Sequence, residues 1–227
     1  MKAMVLAAGL GTRLRPITNA RPKALVEVGG RTLLEITLTR LKASEVREVI
    51  INVHHFADMV VDYLKSHGNF GLHIEISREE ILLDTGGGLK KAGWFFEKNH
   101  DEPFILHNVD IITTIDLERM LEFNLEHQPL ATLAMQNRKT SRYLLFDERG
   151  QLCGKSPTPE PRFASLGFAG IHIISPRLLS MMPADEIFSI INLYLDLAAR
   201  GEKILAFPAD EYSWKDMGRP ENLKTEN

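Results

Sequence analysis

The sequence predicts an α/β fold, a doubly wound, mostly parallel sheet whose later part turns antiparallel. Three observations predict it. Short apolar runs alternate with amphipathic helical stretches through the first 128 residues, the rhythm of strand–helix–strand units. After Leu130 that rhythm gives way to closely spaced strand patterns joined by a turn. Finally, 227 residues without a repeat or a linker-like stretch suit one large domain better than two small ones.

In chain order, Met4–Ala7 is an apolar run that reads as a buried strand ending in a loop of small residues. Thr32 and Glu35 have capping-box spacing, and Leu34, Leu38 and Leu41 lay an apolar stripe on the helix that follows. Val49-Ile50-Ile51 is apolar on both faces, as a central parallel strand must be. Phe56, Met59, Val60, Tyr63 and Leu64 mark a second helix, and His73–Ser77 alternates as another strand. Leu83–Gly88 opens a helix that carries Ala92, Trp94 and Phe95. Phe104–Leu106 is a strand, and Leu117, Met120, Leu121 and Leu125 define a further helix. Then come a strand at Ala131–Met135, a hairpin pairing Tyr143–Phe146 with Gln151–Lys155, and a proline-dense exposed loop at Ser156–Pro161. A strand over Ser165–Ile174, a helix over Ile187–Ala199 and a strand over Lys203–Phe207 complete the body.

Bulk properties narrow the function. A net charge of −3 argues against nucleic acid as a partner, and makes the local cluster of Arg13, Arg15, Arg21 and Lys23 more notable. The single cysteine, Cys153, excludes an internal disulfide and a thiolate zinc cluster. No run reaches membrane-spanning length. The apolar stretch at the N-terminus is only about seven residues long and runs into Arg13 and Arg15, so no signal peptide is expected and the location expected is cytoplasmic.

The loop Ala8-Gly9-Leu10-Gly11-Thr12-Arg13 carries the strongest chemical signal. Glycines let the backbone lie against a ligand, and the cations that follow are what oxyanions need; a tight turn would use the same glycines. A dinucleotide fingerprint is excluded because Leu14 stands where its third glycine belongs, and a P-loop because no Gly-Lys-Ser/Thr closes the loop. Leu6–Glu27 resembles the signature of nucleotidyltransferases that activate sugar 1-phosphates, roughly LAAGxGTRLxPLT…PKPLVPV, with Ala24 where that family usually has proline.

Further segments extend the resemblance. Asn108-x-Asp110 with Thr114-x-Asp116-Leu117 is similar to the family's NGDxxTDxDL, Val109 replacing a small residue; Trp214–Glu221 is similar to WxDxGTPE. The resemblance implies that Asp110 and Asp216 hold Mg²⁺, an ion that commonly takes one or two carboxylates and completes its shell with phosphate and water. Without it, Asp110 reads as a loop cap and Asp216 as an exposed carboxylate. Gly86-Gly87-Gly88 is costly to order at a helix start, at roughly 1 kcal/mol per glycine against alanine. A planar group passing close to the backbone would explain the triplet, and so would a flexible turn. In the family this segment lines the base and ribose. Lys155 resembles the lysine of the EKP element that meets the sugar phosphate, and Leu166–Ile171, with Gly170, resembles a glycine-bearing sugar-pocket strand or an ordinary core strand. His54-His55 makes an incomplete metal site, and Cys153 is given no role.

The resemblance therefore implies a Rossmann-like nucleotidyltransferase fold over residues 1–227, with a nucleotide-binding half (1–128) and a sugar-binding half (129–227). It implies transfer of a nucleotidyl group from an NTP to a sugar 1-phosphate with release of pyrophosphate. Arg13 would meet the β,γ-phosphates, Lys23 the α-phosphate, and Lys155 the sugar phosphate, with Asp110 counted as catalytic. Ala8, Gly9, Gly11, Thr12, Gly87 and Asn108 would contact the nucleotide, and Gly170 the sugar. Asp84–Gly88 is most similar to the N-acetylmuramate-1-phosphate uridylyltransferases, which favours UTP as partner. A hexose-1-phosphate guanylyltransferase of the mannose type is the near alternative, and a non-catalytic sugar-nucleotide sensor the alternative of another class.

Overall fold

The computed structural model describes residues 1–97 and 102–223. Its first half runs β1 (Lys2–Leu6), β2 (Glu27–Val28), β3 (Arg31–Thr32), α1 (Leu33–Ala43), β4 (Glu48–Val53), α2 (Ala57–Ser66), β5 (His73–Arg78) and α3 (Asp84–Ala92). There follow β6 (Phe104–Asn108), β7 (Ile111–Thr113) and α4 (Leu117–His127). The second half contains β8 (Ala131–Gln136), β9 (Tyr143–Phe146), β10 (Leu152–Ser156), β11 (Ala164–Ile174), α5 (Ile190–Ala199), β12 (Ile204–Pro208), β13 (Trp214–Asp216) and α6 (Pro220–Leu223).

Strands β6, β1, β4 and β5 lie side by side and parallel, with β1 between β6 and β4. The long strand β11 then joins β6, β8 and β9 antiparallel, and β12 adds to β8 in parallel. Expected and observed architecture agree, including the antiparallel hairpin of β9 and β10.

Residues on β1 alternate between two cores, as doubly wound packing requires. Ala3 and Val5 face the cluster formed with Leu34, Leu38 and Leu41 of α1, Val60 of α2 and Met120 of α4. Met4 faces the opposite cluster, with Leu89 of α3 and Leu193 and Leu197 of α5. Thr32 caps α1 through Oγ1, which accepts the Glu35 N–H at 3.0 Å. The Glu35 carboxylate turns instead to Arg31 Nε, 2.7 Å away.

Two histidines sit in the middle of the sheet. His107 Nδ1 is 2.8 Å from the Asn108 carbonyl oxygen, and its Nε2 is buried without a partner. His172 Nδ1 lies 3.0 Å from the Tyr194 hydroxyl. Burial, with the Arg40 charge as a lesser cause, pushes His107 down to about 4; burial, with His107 beside it, pushes His172 down to about 3.

Three local differences from the sequence reading have physical causes. β1 ends at Leu6 because the Ala7 N–H leaves the ladder for Asn52 Oδ1, 2.7 Å away. The helix expected from Ile187 begins at Ile190, whose N–H donates to Thr85 Oγ1 at 3.0 Å. α3 stops at Ala92, so Trp94 and Phe95 lie in a following 3₁₀ turn. The pairing of β7 with β13 was not anticipated.

Candidate active site

The loop after β1 is shaped from inside. Gly11 has φ +62°, and a Cβ there would lie 2.9 Å from Thr18 Cγ2 and 3.1 Å from Lys23 Cβ. Its carbonyl accepts from Thr18 Oγ1 at 2.8 Å and from the Leu14 N–H at 2.9 Å, and buried Leu14 anchors the turn. Among the described residues, no protein acceptor engages the N–H groups of Gly9, Leu10, Gly11 or Thr12. Lys23 Nζ approaches to 3.6 Å from the position a Gly9 Cβ would take.

Lys23 ends on Asp110, with Nζ 2.8 Å from Oδ2, and both side chains are largely withdrawn from water. Asp110 follows β6, as the sequence implies, and its carbonyl accepts the Met217 N–H at 2.8 Å. That bond continues the β7–β13 ladder, in which Asp216 lies opposite Ile111. Two carboxylates far apart in the sequence are thereby brought to one place. Gly218 measures how close they are: a Cβ there would sit 2.6 Å from Asp110 Oδ2, 2.9 Å from Asp216 Oδ1 and 2.8 Å from Arg13 Nη2. Arg13 Nη1 and Arg219 Nε flank Asp216 Oδ2 at 3.5 and 3.2 Å.

Arg13, Asp110, Asp216 and Arg219 form one wall of a cleft of about 910 Å³, which Lys23 itself does not line. Asn108, Lys155 and Gly170 line the same cleft. Lys155 Nζ donates to Asn192 Oδ1 of α5 at 3.0 Å. Gly170 sits at an irregularity in the β11–β8 pairing with φ +83°, and a Cβ there would press on Ile111 Cγ1 (2.7 Å) and Asn108 Nδ2 (3.2 Å). The sequence reading gave no role to four residues found here. Gly218 and Arg219 belong to the quoted Trp214–Glu221 segment, where Arg219 takes the place of the family's threonine. Trp214 holds Ala169 O through Nε1 at 2.8 Å and stacks under the Arg138 guanidinium at 4.0 Å. No motif marked Arg138.

The glycine triplet has a different setting from the one expected. Gly86 and Gly87 both donate their N–H groups to the Phe188 carbonyl, at 2.9 and 3.2 Å. A Cβ on Gly87 would lie 2.0 Å from the Glu186 carbonyl oxygen, one on Gly86 would overlap the Phe188 ring, and one on Gly88 would meet Asn52 and Glu79. Close packing of α3 against residues 186–188 accounts for the small residues, and the Gly87 N–H is engaged within the protein. Gly87, like the loop residues Ala8, Gly9, Gly11 and Thr12, is not part of that cleft wall. Nearby, buried Glu79 accepts from Asn52 Nδ2 at 2.7 Å and from the Leu83 N–H at 3.1 Å, which ties the start of α3 to β4. His54 Nδ1 lies 2.9 Å from the Glu79 carbonyl oxygen, and the His55 ring lies against Phe56.

Among the described residues, no group of three or more His, Cys, Asp or Glu side chains gathers as a metal cluster. The two convergent carboxylates nevertheless fit a hard ion that draws its remaining ligands from water and phosphate, because both are oxygen donors and glycine keeps the space between them free of a side chain.

The model of the nucleotidyl transferase family matches residues 2–147. The N-acetylmuramate alpha-1-phosphate uridylyltransferase of Caulobacter vibrioides is 37% identical over 238 residues, covering 96% of this chain and 92% of that protein. A mannose-1-phosphate guanyltransferase of Yarrowia lipolytica is 29% identical over 98% of this chain, which spans 62% of that longer protein. The crystal structure of HddC from Yersinia pseudotuberculosis shares the fold, with a TM-score of 0.81 at 23% identity over 99% of this chain and 97% of that one. With a family model spanning more than half of its length and a relative matched nearly end to end, the chain belongs to the nucleotidyl transferase family.

Proposed function

We propose that this chain transfers a nucleotidyl group from an NTP, with UTP favoured, to a sugar 1-phosphate, forming an NDP-sugar and pyrophosphate. The observation that carries the reading is the pairing of Lys23 with Asp110 directly beside Asp216 and Arg13, at the mouth of the glycine loop. Fixed cations that already stand on two carboxylates provide the alternating charge a transferring phosphoryl group requires, and such a transfer is catalysed mainly by positioning and charge stabilisation.

A sugar-phosphate oxygen attacks the α-phosphorus in line, and the bond to the β-phosphate oxygen breaks. Lys23 meets the α-phosphate and Arg13 the departing β,γ-phosphates. The unengaged amides at Gly9, Gly11 and Thr12 receive nucleotide oxygens, and Ala8 and Gly9 offer backbone to the base. Asn108 borders the nucleotide, while Lys155 and Gly170 border the sugar phosphate and the sugar. Asp110 and Asp216 would hold Mg²⁺, which supplies neutralising charge to the transferring group when bound. No helix among the described residues is long and apolar enough to cross a membrane, and we place the reaction in the cytoplasm without nucleic acid or membrane as partner.

UTP is preferred in this reading because the relative matched over nearly its whole length is a uridylyltransferase. A guanylyltransferase is the second reading, favoured by the Yarrowia relative. A non-catalytic sensor would not need Lys23, Asp110 and Asp216 together. Competition between UTP and GTP in one sample, with a panel of sugar 1-phosphates, is the test. A specificity constant about tenfold or more in favour of GTP moves the chain to the guanylyltransferase reading.

A further inference from the structure

Arg138, like Arg142 and Arg219, is a charged residue of the cleft that the reaction above does not use. It lies just beyond β8, half-buried, with its guanidinium 4.0 Å above the Trp214 ring. A Cβ on Gly167 would fall 2.9 Å from its Cγ and Cζ, so the bare backbone of β11 makes room for it. Nη2 donates to the Phe168 carbonyl at 2.7 Å, and Nε is buried without an acceptor.

Tryptophan on one side, glycine backbone on the other and a carbonyl at one corner hold a planar cation in a fixed orientation. Such a fork has the geometry of a carboxylate receptor. Yet no carboxylate among the described residues pairs with it, in contrast to Arg13 and Arg219, which both stand on Asp216. The guanidinium is therefore a cation partly out of water and without a counter-ion. Burial and then the neighbouring Arg219 charge bring its pKa down, while Asp216 acts in the opposite direction from beyond ion-pair distance.

We propose that Arg138 is a specificity-determining residue that binds a carboxylate carried by the acceptor sugar in addition to its 1-phosphate. The inference rests on the nucleotidyltransferase reading and deepens it, because it gives the acceptor a second negative charge. The position suits that role. Arg138 lines the cleft with Phe168 and Gly170 of β11 and with Lys155, the last two assigned above to the sugar and its phosphate, whereas Lys23 and the glycine loop, assigned to the nucleotide, do not line it. The charge balance agrees. Arg13 and Arg219 are partly compensated by Asp216 before any substrate binds, and Arg138 keeps its charge for an anion that arrives with the acceptor.

Matched acceptor pairs test this: glucuronic acid 1-phosphate against glucose 1-phosphate, and N-acetylmuramate 1-phosphate against N-acetylglucosamine 1-phosphate. The wild-type chain should prefer the acid of at least one pair by about tenfold or more in kcat/KM, since a site built to pair with a group rejects the analogue that lacks it. In Arg138→Gln that ratio should fall at least tenfold, through the KM of the acid, and Arg138→Lys should recover part of it. Glucose 1,6-bisphosphate in the same panel separates a carboxylate site from a site for any second oxyanion, and its preference over both acids overturns the carboxylate assignment. Equal losses for acid and neutral acceptors in Arg138→Gln overturn the proposal, since they mean that the residue serves the shared phosphate or merely positions its neighbours. Turnover of neutral acceptors without preference for either acid overturns it too, while leaving the nucleotidyltransferase reading intact. Turnover of no sugar phosphate at all overturns that reading itself.

Discussion

Gly218→Ala tests the geometry of the two carboxylates without removing either. The added methyl carbon would stand 2.6 Å from Asp110 Oδ2 and 2.9 Å from Asp216 Oδ1, whereas ordinary contact begins near 3.4 Å. Asp110 Oδ2 must therefore retreat by several tenths of an ångström, and it is held on its other side by Lys23 at 2.8 Å. The atoms in the way are side-chain tips, and Gly218 is not one of the glycines with positive φ, so the backbone tolerates alanine. The fold should survive with a stability loss on the order of 1 kcal/mol. Turnover should not survive so well, because a displacement approaching 1 Å in a phosphoryl-transfer site costs roughly a hundredfold. Steady-state pyrophosphate release and a thermal melt of the same sample check both halves. A folded variant within about threefold of wild-type turnover would refute the argument that these carboxylates act at a shared point.

The other perturbations separate catalytic from structural roles. Asp110→Asn and Asp216→Ala should each lower turnover by several powers of ten, and chelation of divalent ions should abolish it; near-normal rates in either variant at saturating Mg²⁺ would remove the metal assignment. Gly87→Ala places a methyl 2.0 Å from a backbone carbonyl oxygen, so it should destabilise the fold by about 1–3 kcal/mol, and an unchanged melt with weakened UTP binding would restore a base-facing role. Lys23→Ala should lose roughly a hundredfold in turnover and also destabilise the protein, because Asp110 would be left buried without its partner. Acid should weaken the fold through His107 and His172. Both are held below the 6.5 of an unperturbed histidine, so between 6.5 and about 4 the unfolded chain takes up protons that the folded chain refuses. Stability is then full above 6.5 and falls as the pH drops, and imidazole NMR signals assigned to His107 or His172 that titrate near 6.5 in the folded protein would contradict the burial argument.

The parts of the fold set by local periodicity were legible in the chain. The inner parallel strands β1, β4 and β6 carry apolar runs because both of their faces are covered, and α1, α2 and α4 show their stripes because each packs one side only. The first carboxylate was legible too, since Asp110 closes a recognisable strand. What was not legible depends on partners distant in sequence. Nothing near Trp214 announces that β13 will pair with β7, yet that ladder delivers Asp216 to Asp110. What the triplet Gly86–Gly88 packs against is not legible locally, because its neighbours, Glu186 and Phe188, come from another part of the chain. Arg138 escaped notice for the same reason: one arginine among many in the sequence, it becomes distinctive only when Trp214 and Gly167 close around it.

The most direct test of the central claim is a product analysis with the purified chain, UTP labelled at the α-phosphate, Mg²⁺ and a sugar 1-phosphate. The account predicts that the label passes into an NDP-sugar, that one pyrophosphate appears for each NDP-sugar formed, and that neither forms when the sugar phosphate is omitted. Release of UMP or orthophosphate independent of sugar, or binding of both substrates with no transfer of label, would contradict it.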